Sequence, residues 1–167
     1  YREVVLAAVN KNGHALMHVS DNYAELRNDK DIVLAAVEND WRALLYASEE
    51  LKNDKDIVLP AVKQDPGHAL MYVSENLKQN DKDILLLWVA HDGRALQYAS
   101  NELKNDKEVV LAAVGQNGYA LQFASKELKN NKDFVLSAVA QNGLALRQAS
   151  DNLKQNDKDI LLLLVAH

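Results

Sequence analysis

NDKDIVLAAVENDWRALLYASEELK, residues 28–52, decides the fold, because edited copies of it run through the whole chain. The opening asparagine returns at Asn28, Asn53, Asn80, Asn105, Asn130 and Asn156, with spacings of 25, 27, 25, 25 and 26 residues. An earlier copy starts at Tyr1 without its opening Asn-Asp, and the last copy reaches His167 half way through a unit. Self-similarity at a fixed period signals units that bury their faces on one another and not in one central core. The chain therefore reads as a single array over residues 1–167. Its units are 1–27, 28–52, 53–79, 80–104, 105–129, 130–155 and the half unit 156–167, six and a half in all. A longer echo overlies this one: residues 74–91 and 150–167 agree at 16 of 18 positions, 76 residues or three units apart.

The first half of a unit reads as a short helix. Asn28-Asp29-Lys30-Asp31 offers capping side chains and acidic groups for the positive end of a helix dipole. Asn28 and Asp31 have the spacing of a capping box, and Asp29 serves equally well as the cap. The body, Ile32 to Val37, is six apolar residues, and columns across the units decide between strand and helix. The Leu34 and Val37 columns never change, whereas the Ala35 column holds Ala7, Pro60, Leu87, Ala112, Ser137 and Leu163. A helix turns position 35 away from the face shared by 33 and 37, so the strict columns should point in and the loose one out. Pro60 lies inside such a helix and cannot donate to the carbonyl of Asp56, which predicts a bend or a late start there.

The turn is Asn-Gly or Asp-Gly in four units, and glycine past a helix end suits the left-handed conformation. Trp41 takes the glycine position in the second unit, and Asp65-Pro66-Gly67 lengthens the turn of the third. The second half reads as a longer amphipathic helix, with Ala43, Leu44, Ala47 and Leu51 on one face. Ser48 recurs at Ser20, Ser74, Ser100, Ser125 and Ser150. Its expected part is a hydroxyl bonded to a helix carbonyl or to the next unit. Helices of about eight and eleven residues joined by a tight turn make an αα-hairpin, and stacked hairpins make an all-α fold, an α-solenoid.

The pattern DKE, VLAAV, NG-x-AL and AS-x-E-L-K, complete in DKEVVLAAVGQNGYALQFASKELKN (106–130), resembles the tandem helical repeat called domain of unknown function 4116. The resemblance covers nearly the whole chain. It implies a helical repeat occurring in long arrays and a scaffold role, and it supplies no enzymatic residues. Trp41, Pro60, Leu87-Trp88, Leu163-Leu164 and the insertion around 22–24 depart from the pattern.

Composition narrows the function classes. Apolar residues make 48% and charged residues 26%, which is the balance of an ordered globular chain. Net charge is −5, and Lys and Asp alternate as in NDKD, so no basic stripe forms and nucleic acid is not an expected partner. No apolar run approaches membrane length, and no signal peptide opens the sequence. Cysteine is absent, which fits a cytoplasmic or other reducing compartment.

Chemistry is weakly signalled. Carboxylates fall at helix starts, and no phosphate loop or nucleophile elbow is present, so the chain reads as no enzyme and needs no cofactor. His14 and His18 are four apart, a metal spacing on an α-helix, but no third ligand accompanies them. His68 shares the His14 column with Arg42, Arg94, Tyr119 and Leu144, a surface column. His91 and His167 suit helix C-termini. The aromatic residues carry more. His18, Tyr46, Tyr72, Tyr98, Phe123 and Gln148 form one column flanking the buried face. Stacking would space its members by about 10 Å, the distance between packed helices. Together with Trp41, Leu87 and Trp88, these make Tyr46, Tyr72, Tyr98 and Phe123 the candidate protein-binding surface, since Tyr and Trp are enriched at hot spots. Leu87 at an outward position would expose an apolar patch. The apolar 160–165 segment, with no second helix to cover it, offers end-to-end self-association as the alternative, in which the chain acts as a spacer or assembly element.

Overall fold

A computed structural model describes residues 1–166. Each unit opens with a long α-helix: Arg2–Lys11, Lys30–Asn39, Lys55–Gln64, Lys82–His91, Lys107–Gln116 and Lys132–Gln141, ten residues each, then Lys158–Ala166. No strand occurs among the described residues. The cap is Asp29 and not Asn28: its carboxylate accepts the N–H groups of Asp31 and Ile32 at 3.1 and 3.2 Å. Asp81, Asp106 and Asp157 repeat both bonds, while Asp54 accepts the N–H of Asp56 and Asn131 that of Phe134. Inside the helix the buried positions are Ile32, Val33, Ala36 and Val37, a stripe at i, i+1, i+4 and i+5. The invariant Leu34 column is only half-buried through the inner units. The loose column is half-buried at Ala35, Pro60, Leu87 and Ala112 and exposed at Ala7 and Ser137. Pro60 does not delay its helix, which starts at Lys55 in register with its siblings and runs the full ten residues.

The second half differs from the expected long helix. It begins as a six-residue 3-10 helix, as at Trp41–Tyr46, Gly93–Tyr98, Gly118–Phe123 and Gly143–Gln148. One extended residue follows, Ala47 at φ −68°, ψ 154°. A short serine-led turn closes the unit, for instance Lys126–Lys129. The physical reason is a backbone hydrogen bond between units. The N–H of Ser48 leaves its own unit and donates to the carbonyl of Arg27 at 3.0 Å. Ser74, Ser100, Ser125 and Ser150 do the same to Lys52, Gln79, Lys104 and Lys129. A continuous helix would consume that donor internally. The residues expected on the buried face are nevertheless buried: Ala43, Leu44, Ala47 and Leu51 are all under 7% exposed.

The glycines also act otherwise than expected. Among the described residues none has positive φ. Gly93 is buried at the first position of its 3-10 helix, and a Cβ there would stand 2.4 Å from the carbonyl oxygen of Ala113 in the next unit. Its lack of a side chain permits close approach between units and is not needed for turn conformation.

Cα packing groups the chain into two compact bodies, Tyr1–Lys78 and Gln79–His167. Each is a stack of such units, so the fold is an all-α solenoid-type repeat. The second body holds a core built from Leu85, Val89, Leu96, Val110, Val114, Leu121 and their neighbours. A smaller cluster around Val135, Leu146 and Ile160 adjoins it.

Candidate interaction surface

Most recurring polar residues hold neighbouring units together. Lys30 reaches the next unit and pairs with Asp54 at 2.8 Å and Asp56 at 2.9 Å. Lys82 pairs likewise with Asp106 and Glu108, and Lys132 with Asp157 and Asp159. Arg2 plays the part in the first unit toward Asp29 and Asp31. One cation therefore clamps both the cap and the first-turn acid of the following helix. The Arg2 hydrogen bond holds the Asp29 carboxyl below the usual carboxylate range, and Lys30 does the same for Asp54, each against a smaller opposing effect of burial.

A tie within each unit uses the opening asparagine. The Ser48 hydroxyl donates to Asn28 Oδ1 at 2.5 Å while accepting from the Leu51 N–H at 3.2 Å. Ser74 with Asn53, Ser125 with Asn105 and Ser150 with Asn130 repeat it. The recurring serine is thus an N-cap whose hydroxyl is tied to the opening asparagine of its own unit and whose N–H reaches the preceding unit. Another link between units is an amide that ends two of the long helices, Gln64 and Gln116. Gln64 Nε2 donates to the Val37 carbonyl at 2.7 Å, and its Oε1 accepts the Trp41 N–H at 3.0 Å. Gln116 Oε1 accepts from Gly93 in the same way.

The candidate binding residues lie outside this framework. Trp41 is half-buried and stacks on His68 with centroids 5.9 Å apart, so the bulk in place of glycine leans on the altered turn of the third unit. That turn is held by Asp65, which accepts the His68 N–H and meets its Nδ1 at 2.9 Å. Tyr46 is half-buried, edge-on to His14 at 5.8 Å, and Tyr72 is half-buried. In the second body Trp88 lies parallel to Tyr98, centroids 5.5 Å apart, and packs on the core together with Phe123. Tyr98 is 52% exposed. Leu87 is half-buried, so no open patch forms there.

Sequence reasoning passed over Tyr119, Leu144 and Met71, all exposed. Tyr119 and Leu144 belong to the His14 column. An apolar residue in a column that elsewhere carries charge was the available signal. The contact of His14 with Tyr46 of the following unit shows that this column and the tyrosine column share one strip of surface. In the second body the same two columns hold Arg94, Tyr98, Tyr119, Phe123 and Leu144, a strip of its own.

The proposed histidine pair does not converge. His14 and His18 lie on the 3-10 helix Gly13–His18, where three residues make a turn, so residues four apart point about 120° away from each other. No cluster of three or more metal-ligating side chains exists among the described residues. His91 ends its long helix as expected, whereas His167 lies outside the described residues. No described helix is long and apolar enough to cross a membrane.

The family model for Domain of unknown function (DUF4116) matches five times in tandem, at residues 1–52, 29–78, 81–129, 109–154 and 131–166. The chain belongs to the DUF4116 family. Most matches span close to two of the units described above. No curated protein and no solved structure matches the chain.

Proposed function

We propose that this DUF4116 array is a non-catalytic scaffold that presents a surface to a protein partner. One observation carries the reading. The recurring Asp, Lys, Asn, Ser and Gln side chains are engaged in caps and in ties within and between units, while Tyr98, Tyr119 and Leu144 are exposed in columns that vary from unit to unit. Uniform columns build the frame, and variable columns on a repeat frame are where recognition is placed. Carboxylates engaged as caps and clamps are structural, which supports the absence of catalysis. The strip of Tyr98, Tyr119 and Leu144 is the favoured contact, because exposed aromatic and apolar side chains supply most binding energy when covered.

The test is affinity capture from lysate with wild type beside a Tyr98/Tyr119/Leu144 triple alanine variant. These side chains are 52%, 39% and 46% exposed, so the variant keeps its fold, checked by circular dichroism. A protein captured by both alike removes the strip from the reading. Capture of none by either favours the alternative of a spacer or assembly element. Exposure of Leu161, Leu162 and Val165 on the last helix supports that alternative, in which these residues dock another helical unit. Sedimentation at rising concentration separates the two, because docking between copies gives mass that grows with concentration.

A further inference from the structure

The units are not all joined alike. At the joins 27/28, 52/53 and 104/105 three links act together. A cation, Arg2, Lys30 or Lys82, holds the cap of the following helix, Asp29, Asp54 or Asp106. An amide at the end of that helix, Asn39, Gln64 or Gln116, reaches back to the Val9 carbonyl, the Val37 carbonyl or the Gly93 N–H. A serine N–H, from Ser48, Ser74 or Ser125, completes the set.

The join 129/130 keeps only the last of these, the Ser150 N–H donating to the Lys129 carbonyl at 2.8 Å. Its helix cap is Asn131, which accepts the Phe134 N–H at 2.9 Å but has no charge to pair with a cation. Among the described residues Lys107, in the register of Lys30 and Lys82, forms no ion pair, and neither does Asp133, in the register of Asp56. Asn131 is exposed, whereas Asp29, Asp54 and Asp106 are half-buried beneath their cations. Gln141 holds the column of Gln64 and Gln116, yet its side chain makes no hydrogen bond among the described residues. Its Oε1 lies over Gly115 instead, 3.5 Å from the Cβ position there. Phe134 packs into the core of the units before it, in the column of Ile32, Ile57 and Val109, so this helix is carried on a larger side chain. A groove of about 710 Å³, lined by Lys126, Glu127, Lys129, Asn130, Asn131 and Ser150, opens at the same join.

From this contrast we propose that the join 129/130 is a hinge built into the second body, at which residues 130–166 open and close against the units before them. Opening there breaks one backbone bond and the apolar contacts of Phe134 and Ala138. Opening at 104/105 breaks a clamp on two acids and an amide bond as well. Cooperative units separate where the fewest links cross. The two 3-10 helices stay close at this join, since a Cβ on Gly118 would stand 2.8 Å from the Leu144 Cβ. The pivot therefore lies on the 3-10 side, and the long helices part. Tyr119 and Leu144 flank the pivot, so opening changes the angle between them. That consequence rests on the contact strip proposed above, whereas the hinge does not.

Amide hydrogen exchange of the whole chain, resolved by residue with nuclear magnetic resonance, tests the hinge without any partner. Ser125 and Ser150 both follow alanine, so their unprotected N–H groups exchange at the same rate. Ser150 is expected to exchange at least about tenfold faster than Ser125 in the folded chain. N131D supplies the carboxylate that Lys107 lacks, and should slow Ser150 about three- to fivefold while Ser125 stays unchanged. D106N removes the clamp at 104/105 and should quicken Ser125. The fold accepts that change, because asparagine is already the cap at 131. Equal protection of Ser125 and Ser150 in the wild type overturns the proposal. So does an unchanged Ser150 rate in N131D, which would place the fast exchange within 150–166 and not at the join. An unchanged Ser125 rate in D106N overturns it too, by showing that the clamps do not hold the joins shut.

Discussion

Replacing Gly93 by alanine should destabilise the second body, whereas the same replacement at Gly143 should not. At Gly93 the added carbon would meet the Ala113 carbonyl oxygen at 2.4 Å, Gln116 Oε1 at 2.9 Å and Asn117 Cβ at 3.0 Å. The glutamine can give way, but the carbonyl belongs to the long helix of the next unit and cannot. The two units must therefore separate by several tenths of an ångström, and the Gln116 hydrogen bond to the residue 93 N–H, 2.7 Å long, stretches with them. Overpacking of a buried junction costs about 1–3 kcal/mol. Against this stands the loss of chain freedom in the unfolded state, which favours alanine by about 0.4–1 kcal/mol wherever φ is negative, as it is here. The net is a loss of roughly 1–2 kcal/mol at Gly93. At Gly143 only the favourable part survives, a gain of up to about 1 kcal/mol.

Urea unfolding followed by far-ultraviolet circular dichroism reads both. With a slope of about 2 kcal/mol per molar, G93A should lower the midpoint by roughly 0.5–1 M, while G143A leaves it level or raises it. Repeat arrays depart from two-state behaviour, so the order of midpoints is the readout, more than an extrapolated free energy. G93A at or above wild type would show that the junction has slack and that the recurring glycine is there for another reason. G143A as damaging as G93A would show that the cost of a Cβ at these glycines is not set by the groups of the next unit.

Substituting Ser125 by alanine removes a cap on the Leu128 N–H and the tie to Asn105, and should cost about 1 kcal/mol in the same assay, with S150A behaving alike. Acid should weaken the array. The Asp29 and Asp54 carboxyls titrate below their unfolded value near 3.8 because cations bond them, so their contribution is present above about pH 4 and is lost as pH falls through the lower folded values. An acid titration showing constant stability down to pH 2 would refute the clamps. Lys82, with both partners at the surface, should show its effect in salt dependence: K82M should flatten the fall in stability with added salt compared with wild type. Trp88→Ala should lower stability and also loosen Tyr98, seen as a change in near-ultraviolet dichroism, because the parallel stack is the tyrosine's ring contact.

The period, the helical class and the buried set were legible because they rest on side-chain patterning. Ala43, Leu44, Ala47 and Leu51 were chosen from a helical wheel, and all four are buried. Yet the backbone that carries them is not one helix. A 3-10 turn, an extended alanine and a short capped turn bring the same four residues inward, and a wheel cannot tell that path from a continuous helix. What settles the path is the serine N–H reaching the preceding unit, a long-range backbone bond with no trace in local periodicity. The recurring serine was visible, but its meaning depended on knowing where the N–H went. The spacing of His14 and His18, a weak metal candidate without a third ligand, misleads for the same cause, since four residues bring side chains together on an α-helix and not on the 3-10 helix that carries them. The aromatic column was legible as a set, whereas Tyr119 and Leu144 were passed over because their column had been read from its charged members.

The way the units are joined bears on how this surface can vary. In a helical hairpin repeat held only by side-chain packing, changing a face changes the join. Here the joins run through a backbone bond from serine, a lysine clamped on two acids and an amide over a helix end. None of these groups belongs to the strip of Tyr98, Tyr119 and Leu144. The frame keeps its register through polar links of fixed length, which leaves the residue after the glycine and the residue closing the 3-10 helix free to be Arg, His, Tyr, Phe, Leu or Gln. That separation of joining groups from displayed groups lets one unit be repeated along the chain while each copy shows a different surface, and it is the physical ground for the proposal that this DUF4116 array serves recognition.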